Sequence, residues 1–138
     1  MSGNPHLPNG FYANVLRQAF PESHTYKVAL YENVQEFANY SRSGECSGEG
    51  YKVGGVDLTG YRLIDCGAYA RLAFDTVYDW FNVTVKTRCA VVYDADTGVV
   101  LNIMDFGRDC GVINGIFSVK LHEDGVVQLG MGDEDDLA

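Results

Sequence analysis

The chain has 138 residues, of which 46% are hydrophobic and 21% are charged, and it contains 16 glycines and 9 tyrosines. This composition is ordinary for one globular domain that is long enough to bury its own core. The formal net charge of -9 repels phosphate backbones, and Lys and Arg form no cluster, so we expect no binding to nucleic acid. No apolar run approaches the ~18 residues of a membrane-spanning helix, so no membrane partner is expected.

Composition divides the chain into an arm, one domain and a tail. Residues 1–10 are polar and contain proline, which is typical of an extended N-terminal arm. Residues 11–131 show no internal repeat and no linker, so we expect a single domain that includes an N-terminal helix. Residues 132–138 are rich in carboxylates and are expected to form a solvated acidic tail.

The first expected element is a short amphipathic helix that ends at Pro21. Its apolar residues recur at helical spacing: Phe11, Val15, Leu16, Ala19 and Phe20. Asn9 stands where an N-cap residue is expected. A helix this short is stable only if its apolar face packs against the rest of the domain.

Short β-rich segments separated by turn residues follow the helix. They are residues 26–31, 51–53, 56–64 and 69–74. Residues 32–50 are rich in Asn, Ser, Gly and Glu and predict a long loop, a common place for a binding site.

The clearest pattern is the alternation of residues 79–93, which is followed by a second β-rich run over residues 99–106. The alternation predicts that six side chains share one buried face: Val83, Val85, Thr87, Cys89, Val91 and Tyr93. Residues 94–98, rich in Asp and ending in Gly, predict the tight turn of an antiparallel hairpin.

The last part of the chain predicts a polar loop over residues 107–114 and a closing hairpin made of residues 116–121 and 126–129. The predicted fold class is therefore mainly β. It is an antiparallel β-sandwich, jelly-roll-like, with about eight strands and one short N-terminal α-helix.

Two short motifs suggest chemistry that their surroundings do not support. Asp105-Phe106-Gly107 matches a kinase metal-binding triplet, but the Gly-rich loop, the strand lysine and the catalytic loop of a kinase are missing. Residues 94–98 resemble the opening of a calcium loop, but the later ligands of such a loop are absent, which favours the hairpin turn.

Acid–base and metal-binding side chains are scattered along the sequence. Four carboxylates could serve glycoside cleavage if two of them converged, which their spacing does not predict: Asp57, Asp65, Asp75 and Asp79. The three histidines all stand in polar segments: His6, His24 and His122. No Ser or Cys occupies a nucleophile motif. We therefore expect a protein that is not an enzyme and that carries no cofactor.

The cysteines form neither a C-x-x-C pair nor a zinc set with a nearby histidine: Cys46, Cys66, Cys89 and Cys110. The first residues show no signal-peptide pattern, so we expect synthesis in a reducing cytosol with free thiols. Cys89 lies inside the alternating run and is expected to be a small buried hydrophobe.

Aromatic residues concentrate between residues 69 and 81: Tyr69, Phe74, Tyr78, Trp80 and Phe81. Most of these rings are expected in the core, and one or two are expected at a contact surface, where Tyr and Trp are favoured. The candidate interface residues are Tyr69, Tyr78, Trp80 and Phe81.

Several segments, taken in order, carry a resemblance to a known family. They are the short helix, residues 26–31, the Glu-x-x-Gly-x-Gly-Tyr-x-x-Gly-Gly pattern of residues 45–55, residues 80–93, Met104-Asp105-Phe106-Gly107-Arg108-Asp109, residues 115–119 and residues 125–129. Over residues 11–130 the chain resembles small virion structural proteins of tailed bacteriophages. Its cysteine content and its acidic tail depart from the common form.

The resemblance implies a virion component that is assembled in the host cytoplasm. A capsid decoration or cement protein is the first expectation, and a tail or fibre-attachment protein is the second. The implied partners are the major capsid protein or other virion proteins, with a homo-oligomer, trimer or hexamer, as the implied state. The family offers no catalytic residues. A carbohydrate-binding or hydrolytic β-sandwich is the alternative from another functional class.

Overall fold

The protein folds into two antiparallel sheets and one short helix, described here from a computed structural model for residue 3 and residues 6–130. The elements are α1 (Phe11–Ala19), β1 (Tyr26–Tyr31), β2 (Val56–Asp57), β3 (Arg62–Asp65), β4 (Tyr69–Ala73), β5 (Val77–Asp94), β6 (Val100–Lys120) and β7 (Val127–Gly130). One sheet has the strand order β2-β1-β5-β6 and the other has the order β3-β4-β7. The prediction of a mainly β, antiparallel fold with one short helix is confirmed. The predicted acidic tail lies outside the described residues.

Helix α1 has the predicted position but a different N-terminus. Gly10, with a φ of 76°, precedes the first helical residue, and no side chain caps the helix. The prediction of Asn9 as the N-cap is therefore wrong, since the left-handed backbone at this position favours glycine. Ala13 and Leu16 are buried against Ala70 of β4. This packing stabilises a helix that is too short to persist alone.

The predicted turn at residues 94–98 is confirmed, and a buried carboxylate holds it. Asp94 is fully buried, and its Oδ1 accepts the backbone N–H of Asp96 at 2.9 Å and of Thr97 at 3.4 Å. Its Oδ2 lies 2.7 Å from Nδ1 of His24. One carboxylate oxygen is thus engaged by the turn and the other by the segment before β1. These contacts account for an aspartate at the start of the turn.

The alternation of β5 buries the six predicted side chains but does not keep them on one face. Val83 and Val85 lie in the core between the sheets, whereas Cys89, Val91 and Tyr93 lie on the opposite side of the sheet. The change of face coincides with a register shift between Thr87 and Cys89, where residues 106–109 of β6 lie opposite Arg88 alone.

The predicted loop over residues 107–114 is wrong, because these residues belong to β6. Val112 pairs with Val85, and Cys110 pairs with Thr87, so the ladder resumes after the bulge. The predicted closing hairpin is also wrong: residues 117–120 pair with β5, and β7 pairs with β4.

Two further predicted strands differ from the structure. Residues 51–53 form no strand, and the predicted strand over residues 56–64 is divided into the separate strands β2 and β3. Gly60, with a φ of 74°, lies between them. The divided strand allows β2 to join one sheet and β3 to join the other.

The principal core fills the space between the two sheets. Its buried side chains come from β1, β4, β5 and β6 and include Val28, Leu30, Leu72, Trp80 and Val119. A second cluster lies on the other face of the four-stranded sheet, where Phe37 and Tyr40 of the long loop cover Ala29, Tyr31, Cys89, Val91 and Tyr93. The long loop therefore acts as a third layer.

Candidate functional site: the outer face of a two-stranded ribbon

The candidate site lies where the four-stranded sheet narrows to two strands. β1 pairs with β5 only over residues 89–94. Residues 77–87 of β5 and residues 110–120 of β6 extend beyond it, and we call this part the distal ribbon. One face of the distal ribbon closes the principal core, and the other face is directed away from it.

The outer face of the distal ribbon concentrates exposed apolar surface. Its residues are the four most exposed large hydrophobic side chains of the described chain: Val77 (57%), Phe81 (62%), Ile113 (80%) and Ile116 (59%). Singly exposed apolar residues are normal on a protein surface, but a group on one narrow ribbon is typical of a contact surface.

Two bulges explain why these side chains point outward. Asn82 and Asn114 have φ values of 54° and 49°, and register shifts flank both positions. Asparagine tolerates this left-handed backbone better than most residues. The Asn82 bulge sends both Trp80 and Val83 into the core and leaves Phe81 on the outside.

Local hydrogen bonds fix the bulge in β6. The backbone N–H of Asn114 donates to Oγ1 of Thr84 at 3.1 Å, and the Thr84 backbone N–H donates to the carbonyl oxygen of Glu49 at 2.8 Å. The segment around Glu49 thus covers one edge of β5. Over residues 110–120 the other edge of the ribbon, on β6, receives no backbone hydrogen bond from the rest of the described chain.

The four predicted interface residues do not form one surface. Tyr78 and Trp80 are 6% and 4% exposed and lie in the principal core. Tyr69 is half-buried on β4, and the guanidinium of Arg71 lies 4.9 Å from its ring centre. Only Phe81 lies on the outer face of the distal ribbon. The prediction did not include Val77, Ile113 and Ile116. The sequence offers a signal for the two isoleucines, because they flank Asn114-Gly115, a pair typical of left-handed backbone.

A buried polar network surrounds Glu45 in the long loop. Its Oε2 accepts the hydroxyl of Tyr51 at 2.5 Å and the backbone N–H of Gly54 at 2.7 Å, and its Oε1 accepts the hydroxyl of Tyr40. Tyr51 in turn accepts the backbone N–H of Leu30 at 3.0 Å. Burial, followed by the hydrogen bond to Glu45, raises the pKa of Tyr51 well above its usual value.

The geometry of this network indicates that it stabilises the fold. Both Glu45 oxygens are occupied by groups of the same chain, and the tyrosines that contact them also pack against the sheet. The Tyr40 and Tyr93 rings stack at 4.3 Å. The arrangement fastens the long loop to β1 and β5 and leaves no free carboxylate oxygen for a substrate.

The four carboxylates considered for glycoside cleavage are engaged by different neighbours. Their partners are Lys27 for Asp57, the backbone of Gly67 for Asp65, Thr59 and Arg62 for Asp75, and Ser118 for Asp79. Within the described residues no group of three or more His, Cys, Asp and Glu side chains could hold a metal ion.

The cysteines are free thiols in separate places. Cys46 and Cys89 are buried, Cys110 is half-buried and Cys66 is exposed. Burial raises the pKa of Cys46 to about 11 and also raises the pKa of Cys89. At neutral pH the two buried sulfurs are therefore protonated and are poor nucleophiles.

A shallow groove of about 550 Å³ lies between the beginning and the end of β6. Ile103, Met104 and Leu121 give it an apolar floor, and Lys120 and Glu123 lie at its border. A second hollow of about 470 Å³ lies between the N-terminal arm and the β3–β4 turn. The polar lining of the groove also includes Asn102 and His122.

Comparisons with known proteins give no identification. No protein-family model, no curated protein and no solved structure matches this chain. In the described part of the chain, no helix has the length and hydrophobicity needed to cross a membrane.

Proposed function

We propose that this protein is a non-enzymatic structural component of a tailed-bacteriophage virion that decorates or cements the capsid by binding assembled capsid subunits. The observation that carries the proposal is the apolar outer face of the distal ribbon, where Phe81, Ile113 and Ile116 are exposed together. Such a surface is stabilised when a partner covers it.

The sequence resemblance over residues 11–130 supplies the virion part of the proposal. Several residues that carry the resemblance also have a clear role in this fold. Glu45 and Tyr51 belong to the buried network, and Gly48 lies so close to β5 that an added Cβ would be 1.7 Å from the carbonyl oxygen of Thr84. The finer architecture, a jelly roll of about eight strands, stays part of the proposal.

A cement function needs no chemistry. A protein that binds the assembled shell and not its separated subunits shifts the equilibrium towards assembly by mass action. Two packed sheets provide a rigid support for such a contact, because their interior is closed by interlocking side chains.

Quantitative mass spectrometry of purified phage particles tests this function. We expect many copies of the chain in each particle, in a ratio to the major capsid protein that matches capsid symmetry. About six or twelve copies would support the alternative, a tail or fibre-attachment protein. Absence from the particles, together with binding to a glycan array, would contradict the virion function and support a carbohydrate-binding module.

A matched pair of variants tests the contact surface. Phe81→Ser removes the exposed aromatic ring from the distal ribbon, and Val34→Ser changes an exposed residue of the long loop. The binding partner is a capsid that lacks this protein. We expect Phe81→Ser to weaken binding to such capsids about tenfold or more and Val34→Ser to leave the binding unchanged. Equal binding by both variants would place the contact elsewhere on the protein.

A further inference from the structure

The free edge of β6 has the properties of an assembly surface. β6 is the outermost strand of its sheet, and over residues 110–120 its outer edge makes no backbone hydrogen bond with the described chain. Monomeric proteins usually protect such edges with charges, with proline, with β-bulges or by keeping them short. The bulge at Asn114 is the device of this kind within residues 110–120. Residues 110–120 contain no proline and a single charge, at Lys120, and they expose Ile113 and Ile116.

The charge distribution is compatible with a second copy of this chain as the occupant. The net charge of -9 makes two copies repel each other over most of their surface. Within the distal ribbon the charged residues are Asp79, Lys86 and Lys120, so this part is not acidic. Lys120 forms no ion pair with any described residue. Asp109, next to the ribbon, is 53% exposed at its side chain and lies 3.7 Å from Lys86 and 3.7 Å from Arg88 of its own chain.

One register makes the edge complementary to itself. A two-fold axis between Asn114 and Gly115 places Ile113 opposite Ile116 of the second copy, and Lys120 opposite Asp109 of the second copy. The Asn114 bulge makes this possible, because it leaves both isoleucines exposed on the outer face although they are three residues apart. The axis repeats each contact, so one register gives two apolar pairs and brings Lys120 of each copy to the carboxylate that Lys86 and Arg88 already face in the other.

We propose that two copies of this chain pair through the free edges of β6 in an antiparallel, two-fold arrangement, with Ile113 and Ile116 in contact across the axis. One strand edge covers less than the roughly 800 Å² on each partner that is typical of a stable dimer, so a concentration-dependent association is expected. Phe81 and Val77 lie on β5, one strand away from the paired edge, and stay available for the capsid contact. The inference shares with the proposed function only the premise that the distal ribbon is a contact surface.

Sedimentation equilibrium with matched variants tests the pairing. Ile116→Lys introduces a charge at the contact, and Ile64→Lys makes the same change at an exposed position of β3. We expect a concentration-dependent dimer for the wild type. We also expect an increase in the dissociation constant of about tenfold or more for Ile116→Lys and no change for Ile64→Lys. Circular dichroism checks that both variants fold.

Disulfide trapping tests the register independently of stability. The starting protein carries Cys66→Ser and Cys110→Ser, which removes the two thiols that are not buried. An oxidised mixture of Ile113→Cys chains and Ile116→Cys chains should form a cross-link between positions 113 and 116. Each variant alone should give far less cross-linking, because neither position lies opposite itself.

A monomer at all concentrations up to about 1 mM would overturn the inference. So would a dimer that is insensitive to Ile116→Lys and gives no cross-link between positions 113 and 116. These outcomes are distinguishable from failure of the proposed function. A dimer with the trapped register that is absent from phage particles refutes the virion function only, and a monomer that is abundant in particles refutes the pairing only.

Discussion

Glu45 shows how one buried side chain can organise a long segment without secondary structure. Three donors converge on its carboxylate: the hydroxyls of Tyr40 and Tyr51 and the backbone N–H of Gly54. A buried carboxylate is stable in the interior only when such partners replace its hydration. The Glu-x-x-Gly-x-Gly-Tyr pattern of the sequence is thus explained by loop anchoring.

Replacement of Glu45 should separate the contribution of its shape from that of its hydrogen bonds. Glu45→Ala leaves three donors without an acceptor and should lower the free energy of unfolding by about 3 kcal/mol. Glu45→Gln keeps an acceptor towards Tyr51 and Gly54, so a loss of about 1 kcal/mol is expected. Urea denaturation measures both values, with Tyr40→Phe as the control that removes one bond. Equal losses for Ala and Gln would contradict the hydrogen-bond explanation.

Exposed residues such as Phe81 are harder to recognise from sequence than Glu45. Nothing in the local pattern distinguishes Phe81, which is exposed, from Trp80, which is buried. The difference arises from the bulge at Asn82, and a single positive φ at an asparagine has no reliable sequence signal. This is why only one of the four predicted interface residues lies on the outer face of the distal ribbon.

Helices and strands whose signals lie within a short window of sequence could be predicted. Strands that form because a distant strand pairs with them could not. The periodicity of α1, the β-branched run of β1 and the turn after β5 are all encoded within short windows. The sequence of residues 107–114 predicts a loop because it contains Gly, Asp and Asn. In the structure β5 continues beside these residues and provides backbone partners. Tertiary pairing overrides weak local propensity at such positions.

The β5–β6 turn should depend on Asp94 more than on any neighbouring carboxylate. Asp94→Ala removes the acceptor for the N–H groups of Asp96 and Thr97 and the partner of His24, all at a buried position. We expect a loss of about 2 to 3 kcal/mol in the free energy of unfolding. Asp96→Ala removes one exposed bond, to the backbone of Thr25, and should cost less than about 1 kcal/mol.

Thermal denaturation followed by circular dichroism compares the two variants. A larger loss for Asp96→Ala than for Asp94→Ala would show that the buried carboxylate does not hold the turn. Hydrogen exchange gives a local readout, because the N–H groups of Asp96 and Thr97 should lose protection in Asp94→Ala.

The two sheets and the loop layer bury phenolic hydroxyls on both sides of the four-stranded sheet. Burial raises the pKa of Tyr26, Tyr31 and Tyr51 well above the usual tyrosine value, and it raises the pKa of Tyr93 to about 12. Neighbouring carboxylates, Asp94 for Tyr26 and Glu45 for the others, act in the same direction. The fold therefore depends on these hydroxyls staying protonated.

Stability should consequently fall as the pH rises above about 10, the usual tyrosine pKa. Above that value the tyrosines of the unfolded chain release protons while those of the folded chain keep them, so the folded state binds more protons and each further rise in pH favours unfolding. For Tyr93 the loss develops between the unfolded value of 10.0 and the folded value of about 12. We expect the melting temperature to be nearly level between pH 7 and pH 8 and to drop steeply above about pH 10. Tyrosinate absorbance should rise together with unfolding and not before it. Ionisation of most tyrosines at a pH where the protein is still folded would contradict their burial on the two sides of the four-stranded sheet.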